Sequence, residues 1–240
     1  MSLDTYEEAV ILFARSPVRE QVKTRLQPYL SPDESLQLHR AMLHDAMVLV
    51  DDAARTPPRR RELRLTAALA PGDELAAALS GWEIALQQGD DLGERLIHAF
   101  QDSLHRGIGR VVAIGSDCPA MTPDYLEAAF QALSTQEMVV GPAQDGGYVL
   151  IGCSRLHIRP FQNIPWGTDR VLSQTRKMLK RLHVSHSLLQ VRRDLDTPDD
   201  LFHVHGELQH LAALGVSRGA HTLACLRELM ARHPEWPHQQ

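Results

Sequence analysis

Short, unbroken apolar runs alternate along this chain with longer stretches in which apolar residues recur every three or four positions. Ala9-Val10-Ile11-Leu12-Phe13-Ala14 is apolar throughout and partly β-branched, the pattern of a strand buried on both faces. Leu63 to Leu69, Trp82 to Gln87, Val111 to Ile114, Met138 to Val140, Tyr148 to Ile151 and Leu188 to Val191 predict six more strands. Between them lie helical patterns. Ser31-Pro32-Asp33-Glu34 starts one, with Ser31 as N-cap and Glu34 at the capping-box position. Its apolar face is Leu36, Met42, Leu43, Met47 and Val50. Further helices are expected after Pro71-Gly72-Asp73-Glu74 (ending near Ser80-Gly81), over Asp91 to Leu104, from Thr122-Pro123-Asp124 through Leu133, and over Thr168 to Leu182. Another starts at Thr197-Pro198-Asp199-Asp200, and the tail Leu211 to Arg232 reads as helix, with His233 to Gln240 expected to be disordered.

Strands that alternate with helices predict a mainly parallel sheet covered on both faces. No repeat, low-complexity tract or linker interrupts the pattern. One domain over residues 1–240, with a C-terminal helical tail at about 202–232, is the expected organisation.

Composition narrows the function classes. A chain of 240 residues that is 43% hydrophobic can bury a full α/β core. A formal charge of −5 without a broad basic patch argues against nucleic acid as a partner. The arginines from Arg55 to Arg64 read as a solvated loop between helix and strand. Three widely spaced cysteines, Cys118, Cys153 and Cys225, supply neither a disulfide framework nor a zinc motif. His203 and His205 lie two apart rather than four, so they do not share a helix face as metal ligands would. The acidic start, Met1 to Glu8, has no apolar signal core, and Ala9 to Ala14 is too short to span a membrane. A soluble cytoplasmic protein with no membrane span is expected.

Four segments carry candidate chemistry, and each follows a predicted strand. The first, Arg15 to Leu26, holds Arg15, Arg19, Lys23 and Arg25. Lys23 and Arg25, one residue apart, suit a di- or triphosphate, although no P-loop pattern is present; an exposed basic loop is the plainer alternative. The second, Gln88-Gly89-Asp90-Asp91-Leu92-Gly93-Glu94-Arg95, sets glycines around a helix start where backbone donors can meet a nucleotide, with Asp90 or Asp91 as N-cap. The third, Gly115-Ser116-Asp117-Cys118-Pro119, brings one carboxylate to the end of a buried strand. That carboxylate is a hard ligand for Mg2+ or Mn2+, or else a turn residue before Pro119. The fourth, Asp194-Leu195-Asp196-Thr197-Pro198-Asp199-Asp200-Leu201, leaves Asp196 without a capping duty. Gly146-Gly147 marks backbone at unusual angles or a close approach, and Asp145 beside it is a candidate contact for an acceptor; a tight hairpin explains the pair equally well.

Taken in order, Phe-Ala-Arg-x-Pro…Val-Lys-Thr-Arg-Leu, Gly-Asp-Asp-Leu-Gly-Glu-Arg, Gly-Ser-Asp-Cys-Pro, Gly-Pro-Ala-Gln-Asp-Gly-Gly-Tyr and Asp-Leu-Asp-Thr-Pro-Asp-Asp-Leu resemble the DUF2064 group. These are bacterial glycosyltransferase-A-like proteins of the nucleotide-diphospho-sugar transferase superfamily. The resemblance covers about Val10 to Leu201. It implies a GT-A, Rossmann-like three-layer α/β/α sandwich, a nucleotide or nucleotide-sugar ligand with an acceptor, and Mg2+ or Mn2+ as cofactor. It also implies phosphate contacts at Lys23 and Arg25, metal ligation by Asp117 and Asp196, and a base-contacting loop at Gly89, Leu92 and Gly93. The Asp-x-Asp triplet common in such proteins is missing, because Gly115 stands two residues before Asp117.

These readings converge on a metal-dependent transferase acting on a nucleotide-diphospho-sugar. Lys23, Arg25, Asp117 and Asp145 are its candidate catalytic residues, Arg15, Lys23, Arg25, Gly89, Leu92 and Gly93 its nucleotide contacts, and Asp117 and Asp196 its metal ligands. Two rivals use the same residues. A nucleotidyltransferase would join a nucleoside triphosphate to a phosphorylated acceptor and release pyrophosphate; Val22-Lys23-Thr24-Arg25-Leu26 resembles the corresponding loop of phospholactate guanylyltransferases. A non-catalytic module would bind a nucleotide without turnover.

Overall fold

The computed structural model describes residues 6–27 and 29–236. Seven strands form one sheet: β1 (Glu8–Ala14), β2 (Arg60–Leu65), β3 (Glu83–Leu86), β4 (Arg110–Gly115), β5 (Met138–Pro142), β6 (Tyr148–Cys153) and β7 (His186–Leu188). Their spatial order is β3-β2-β1-β4-β6-β5-β7. Only β6 runs antiparallel to its neighbours. Among the described residues seven α-helices accompany them: α1 (Pro32–Ala53), α2 (Leu75–Ala78), α3 (Leu92–His105), α4 (Pro123–Leu133), α5 (Val171–Arg181), α6 (Pro198–Ala213) and α7 (Ala220–Arg232).

The unbroken apolar run of β1 has a direct cause. Val10, Leu12 and Ala14 pack with α1 and α4 on one face, whereas Ala9, Ile11 and Phe13 pack with α3 and α5 on the other. Every second side chain serves a different core, so no position is free to be polar. The result is the expected Rossmann-like three-layer α/β/α arrangement. A third cluster lies outside the sheet, where α6 and α7 close over Leu38 and Met42 of α1 together with Leu26 and Leu30.

The arginine segment departs from expectation. It is not a solvated loop: β2 begins at Arg60, three residues before the predicted strand, and Arg59 and Arg64 are buried. Arg59 donates to Glu8, Glu127 and the Ala53 carbonyl. Arg64 donates to Glu62 and Asp102. Carboxylates from β1, α3, α4 and β2 itself neutralise these charges, so the segment tolerates them. The predicted strand Leu188 to Val191 is shifted toward the N-terminus, to His186–Leu188. Beyond it the chain stays extended beside β5, with Leu189 N–H donating to Val140 and Arg192 N–H to Pro142. α5 starts at Val171 rather than Thr168, after Gly167 at φ +77°. The tail is two helices, broken before Gly219 at φ +63°, which a Cβ would drive into Leu208. His233 to Trp236 are ordered, with Trp236 buried against Tyr29 and Phe202. The remainder of the segment expected to be disordered, 237–240, and the first five residues of the acidic start lie outside the described residues.

Candidate active site

Six of the seven strands share one direction, so the segments after β1, β3, β4, β5 and β7 emerge on the same edge of the sheet. From β1 the order runs outward to β2 and β3 on one side and starts again at β4 on the other. A crevice at such a reversal is where ligands of open α/β sheets sit. The loop after β1 is anchored there at its start. The Ser16 hydroxyl donates to the Ala67 carbonyl and accepts from the Ala67 N–H. His39 of α1 lies 2.9 Å from the Arg15 carbonyl, and burial holds its imidazole below the ordinary value, so the neutral ring donates.

Lys23 is the centre of the site. Its ammonium donates to Asp117 Oδ1 at 2.7 Å, to the Leu195 carbonyl at 2.6 Å and to Asp196 Oδ1 at 3.0 Å. An ammonium has three N–H bonds, and all three are used. The lysine side chain is 4% exposed, whereas those of Asp117 and Asp196 are 43% and 35% exposed. The acids thus face outward from a buried cation. Burial by itself would lower the Lys23 pKa, but Asp117 and Asp196 more than reverse this and hold it above its ordinary value. Burial would likewise raise the Asp117 pKa, yet Lys23 brings it below the usual carboxylate value. The geometry is held from several sides. Val22 and Leu26 are buried on either side of the lysine, and Leu195 N–H donates to the Asp117 carbonyl. Lys23 itself takes the left-handed backbone conformation, φ +48° and ψ +38°, which costs a non-glycine residue about 1–2 kcal/mol.

The structure places Lys23, the expected phosphate contact, against two acids. Its ammonium meets the two acids rather than an open phosphate position. It brings Asp117 and Asp196, 79 residues apart in sequence, to a single cation. Two carboxylates and a carbonyl around one cation form a hard all-oxygen set, the kind that suits Mg2+ or Mn2+. Among the described residues no group of three or more His, Cys, Asp or Glu side chains is arranged to hold a metal. The exposed cations nearby are Arg25, 3.9 Å from Asp196, and Arg15, which donates weakly to the Gln21 carbonyl at 3.4 Å. Arg19 is engaged with Asp33.

The glycines of the second segment divide by role. Gly93 is a packing glycine, because a Cβ there would stand 2.3 Å from the Phe161 carbonyl and 2.9 Å from the Trp166 ring. That accounts for its small size. Gly89, at φ +127°, turns the chain so that Asp91 caps α3 through the Glu94 N–H. Leu92 is 40% exposed at the helix start. Asp145 accepts from the Gly147 N–H, a turn role, and remains exposed. Gly146 is required by both its φ of +89° and the Asp169 backbone packed against it.

Sequence reasoning passed over Asp194. Burial, followed by the charges of Asp145, Asp196 and Asp117, pushes its pKa up to about 7. Its signal was present: in extended chain, residues two apart face the same side, so Asp194 accompanies Asp196. The Leu195 carbonyl and His39 were also missed, because neither belongs to a recognisable spacing.

Residues 49–168, half of the chain, match DUF2064, described as an uncharacterized protein conserved in bacteria. The chain belongs to the DUF2064 family. This DUF2064 member is similar to a solved candidate nucleotide-diphospho-sugar transferase from Desulfovibrio desulfuricans G20, at 26% identity and a TM-score of 0.82, covering 98% of this chain and 100% of that one. A cytidylyltransferase from Leptospira borgpetersenii serovar Hardjo-bovis shares the fold at 12% identity and a TM-score of 0.56, over 98% of each chain. So does a CMP:2-keto-3-deoxy-manno-octonic acid synthetase complexed with CTP, at 10% identity and a TM-score of 0.53, covering 88% of this chain and 100% of the other. No curated protein matches the chain. Among the described residues no helix is long and apolar enough to cross a membrane.

Proposed function

We propose that this DUF2064 member is a metal-dependent transferase that acts on a nucleotide-diphospho-sugar. The observation that carries this reading is the joining of Asp117 and Asp196 at the ligand edge of the sheet by one buried ammonium. Arg25 and Arg15, exposed beside them, bind the diphosphate, and Arg forks match phosphate oxygens. Backbone donors near Gly89 and Leu92 at the start of α3 face the nucleotide. Mg2+ or Mn2+, held by Asp117 and Asp196, would neutralise charge on the departing diphosphate. Asp145 orients the acceptor hydroxyl. Most of the acceleration then comes from placed charge rather than covalent chemistry.

The second reading, nucleotidyl transfer with pyrophosphate release, draws support from the basic loop and from the fold shared with cytidylyltransferases. Products separate the two. Nucleoside diphosphate released from a sugar nucleotide supports the first, and pyrophosphate released from a triphosphate supports the second. Turnover by neither, with tight nucleotide binding, leaves a non-catalytic module. The first test is a thermal-shift screen of nucleotides and sugar nucleotides with and without Mn2+. A ligand of the native state raises the midpoint by mass action. The expected result is a metal-enhanced shift that Asp117→Ala and Arg25→Ala each reduce. If no nucleotide shifts the wild type, all three readings fail.

A further inference from the structure

We infer that Lys23 is the resident counter-cation of the Asp117–Asp196 pair, and that it keeps free divalent metal out of that position until it is itself released. This rests on the proposal that these two acids are the metal ligands. Three oxygens that a divalent ion bridging the pair could take are already occupied by the ammonium: Asp117 Oδ1, Asp196 Oδ1 and the Leu195 carbonyl, at 2.6–3.0 Å. Oxygens bind Mg2+ at about 2.0–2.1 Å, so metal and ammonium sharing these atoms would stand in contact as like charges.

The choice of lysine fits such a role. Of the 25 Lys and Arg residues only three are lysines, Lys23, Lys177 and Lys180. Arginine makes the buried ion pairs elsewhere, at Arg59 and Arg64. A planar guanidinium cannot place three donors on three oxygens around one point, whereas an ammonium can. Its flexible stem also lets it leave. A polyphosphate supplies both a new acceptor for the released ammonium and the negative charge that offsets two cations side by side. Metal and nucleotide therefore enter together, and metal alone binds poorly.

Two measurements on the purified full chain test this with Mn2+ as the only ligand. Electron paramagnetic resonance titration compares wild type, Lys23→Met and Lys23→Gln, each checked for native circular dichroism; the glutamine variant serves if the methionine one misfolds. The neutral variants should bind Mn2+ at least tenfold more tightly than wild type, and adding Asp117→Asn should abolish the gain. Acetylation followed by mass spectrometry then reads Lys23 in the wild type, with Lys177 and Lys180 on α5 as internal standards. Lys23 should resist acetylation without metal and become labelled as Mn2+ saturates. Equal Mn2+ affinity in wild type and both variants, no binding by any of them, or a Lys23 still protected at saturation overturns the inference. A failure of nucleotides to bind would sink the proposed function and leave this metal-only result readable on its own.

Discussion

At the scale of single residues, two positions show how a local constraint becomes a measurable effect. Gly146 sits at φ +89° with the Asp169 carbonyl 2.2 Å from any added Cβ. Backbone cannot yield as a flexible side chain does. Gly146→Ala should therefore cost about 2 kcal/mol or more, read as a lower urea midpoint with an unchanged slope. His39 gives a pH dependence. Burial holds its pKa below the ordinary 6.5, so the folded state binds fewer protons than the unfolded one near that pH. Its contribution is fully present above pH 6.5 and is lost as the pH falls through the lower folded value. Wild type should lose stability over that interval, and His39→Gln should flatten the loss; parallel curves for the two proteins would refute the assignment. Gly146 was legible as a special glycine from its Gly-Gly pair. His39 was not, since its role depends on a carbonyl 24 positions away.

At the scale of elements, the start of α6 couples stability to the site. Asp200 accepts from the Thr197 N–H at 2.8 Å, the Thr197 hydroxyl at 2.7 Å and the Asp196 N–H at 3.2 Å. One carboxylate thus caps the helix and holds the backbone of a candidate metal ligand. Asp200→Ala should cost about 0.5–2 kcal/mol, as lost caps do, and should also weaken any metal-dependent nucleotide shift. Asp199→Ala, one residue away and without those contacts, is the control for both readouts. The Thr-Pro-Asp-Asp spacing announced this cap in advance. The sequence pattern also announced the cap of α3, made by Asp91. It did not announce the break between α6 and α7, because the apolar spacing continues across it and only Gly215 and Gly219, both at positive φ, mark the turn.

At the scale of the whole molecule, stability and chemistry occupy opposite edges of the sheet. The site gathers at the strand ends. At the strand starts, Arg59 bridges Glu8 of β1 and Glu127 of α4, with Arg59 and Glu8 almost wholly buried. Arg59→Met would leave Glu8 with Arg110, 3.0 Å away, as its remaining cation and would strip Glu127 of its partner, a change that costs about 1–3 kcal/mol. For a domain of this size that is a midpoint lowered by about 2–12 °C, with Mn2+ and nucleotide binding of the folded protein unchanged. A loss of binding that accompanied the stability loss would show the two edges to be coupled.

What the amino-acid order determined by itself is the part set by local chemistry and period. Unbroken apolar runs require doubly buried strands, capping residues set helix starts, and five ordered motifs point to one family. These signals are read from neighbours in sequence. The partners of charged residues were decided only by the tertiary structure. Arg59 and Arg64 read as solvent-facing until Glu8, Glu127, Glu62 and Asp102 came beside them. Lys23 likewise showed no partner in the sequence, and the fold closes Asp117 and Asp196 around it. The physical reason is common to both. A buried charge takes its meaning from whatever opposite charge the fold brings within about 3 Å, and that partner can lie anywhere along the chain.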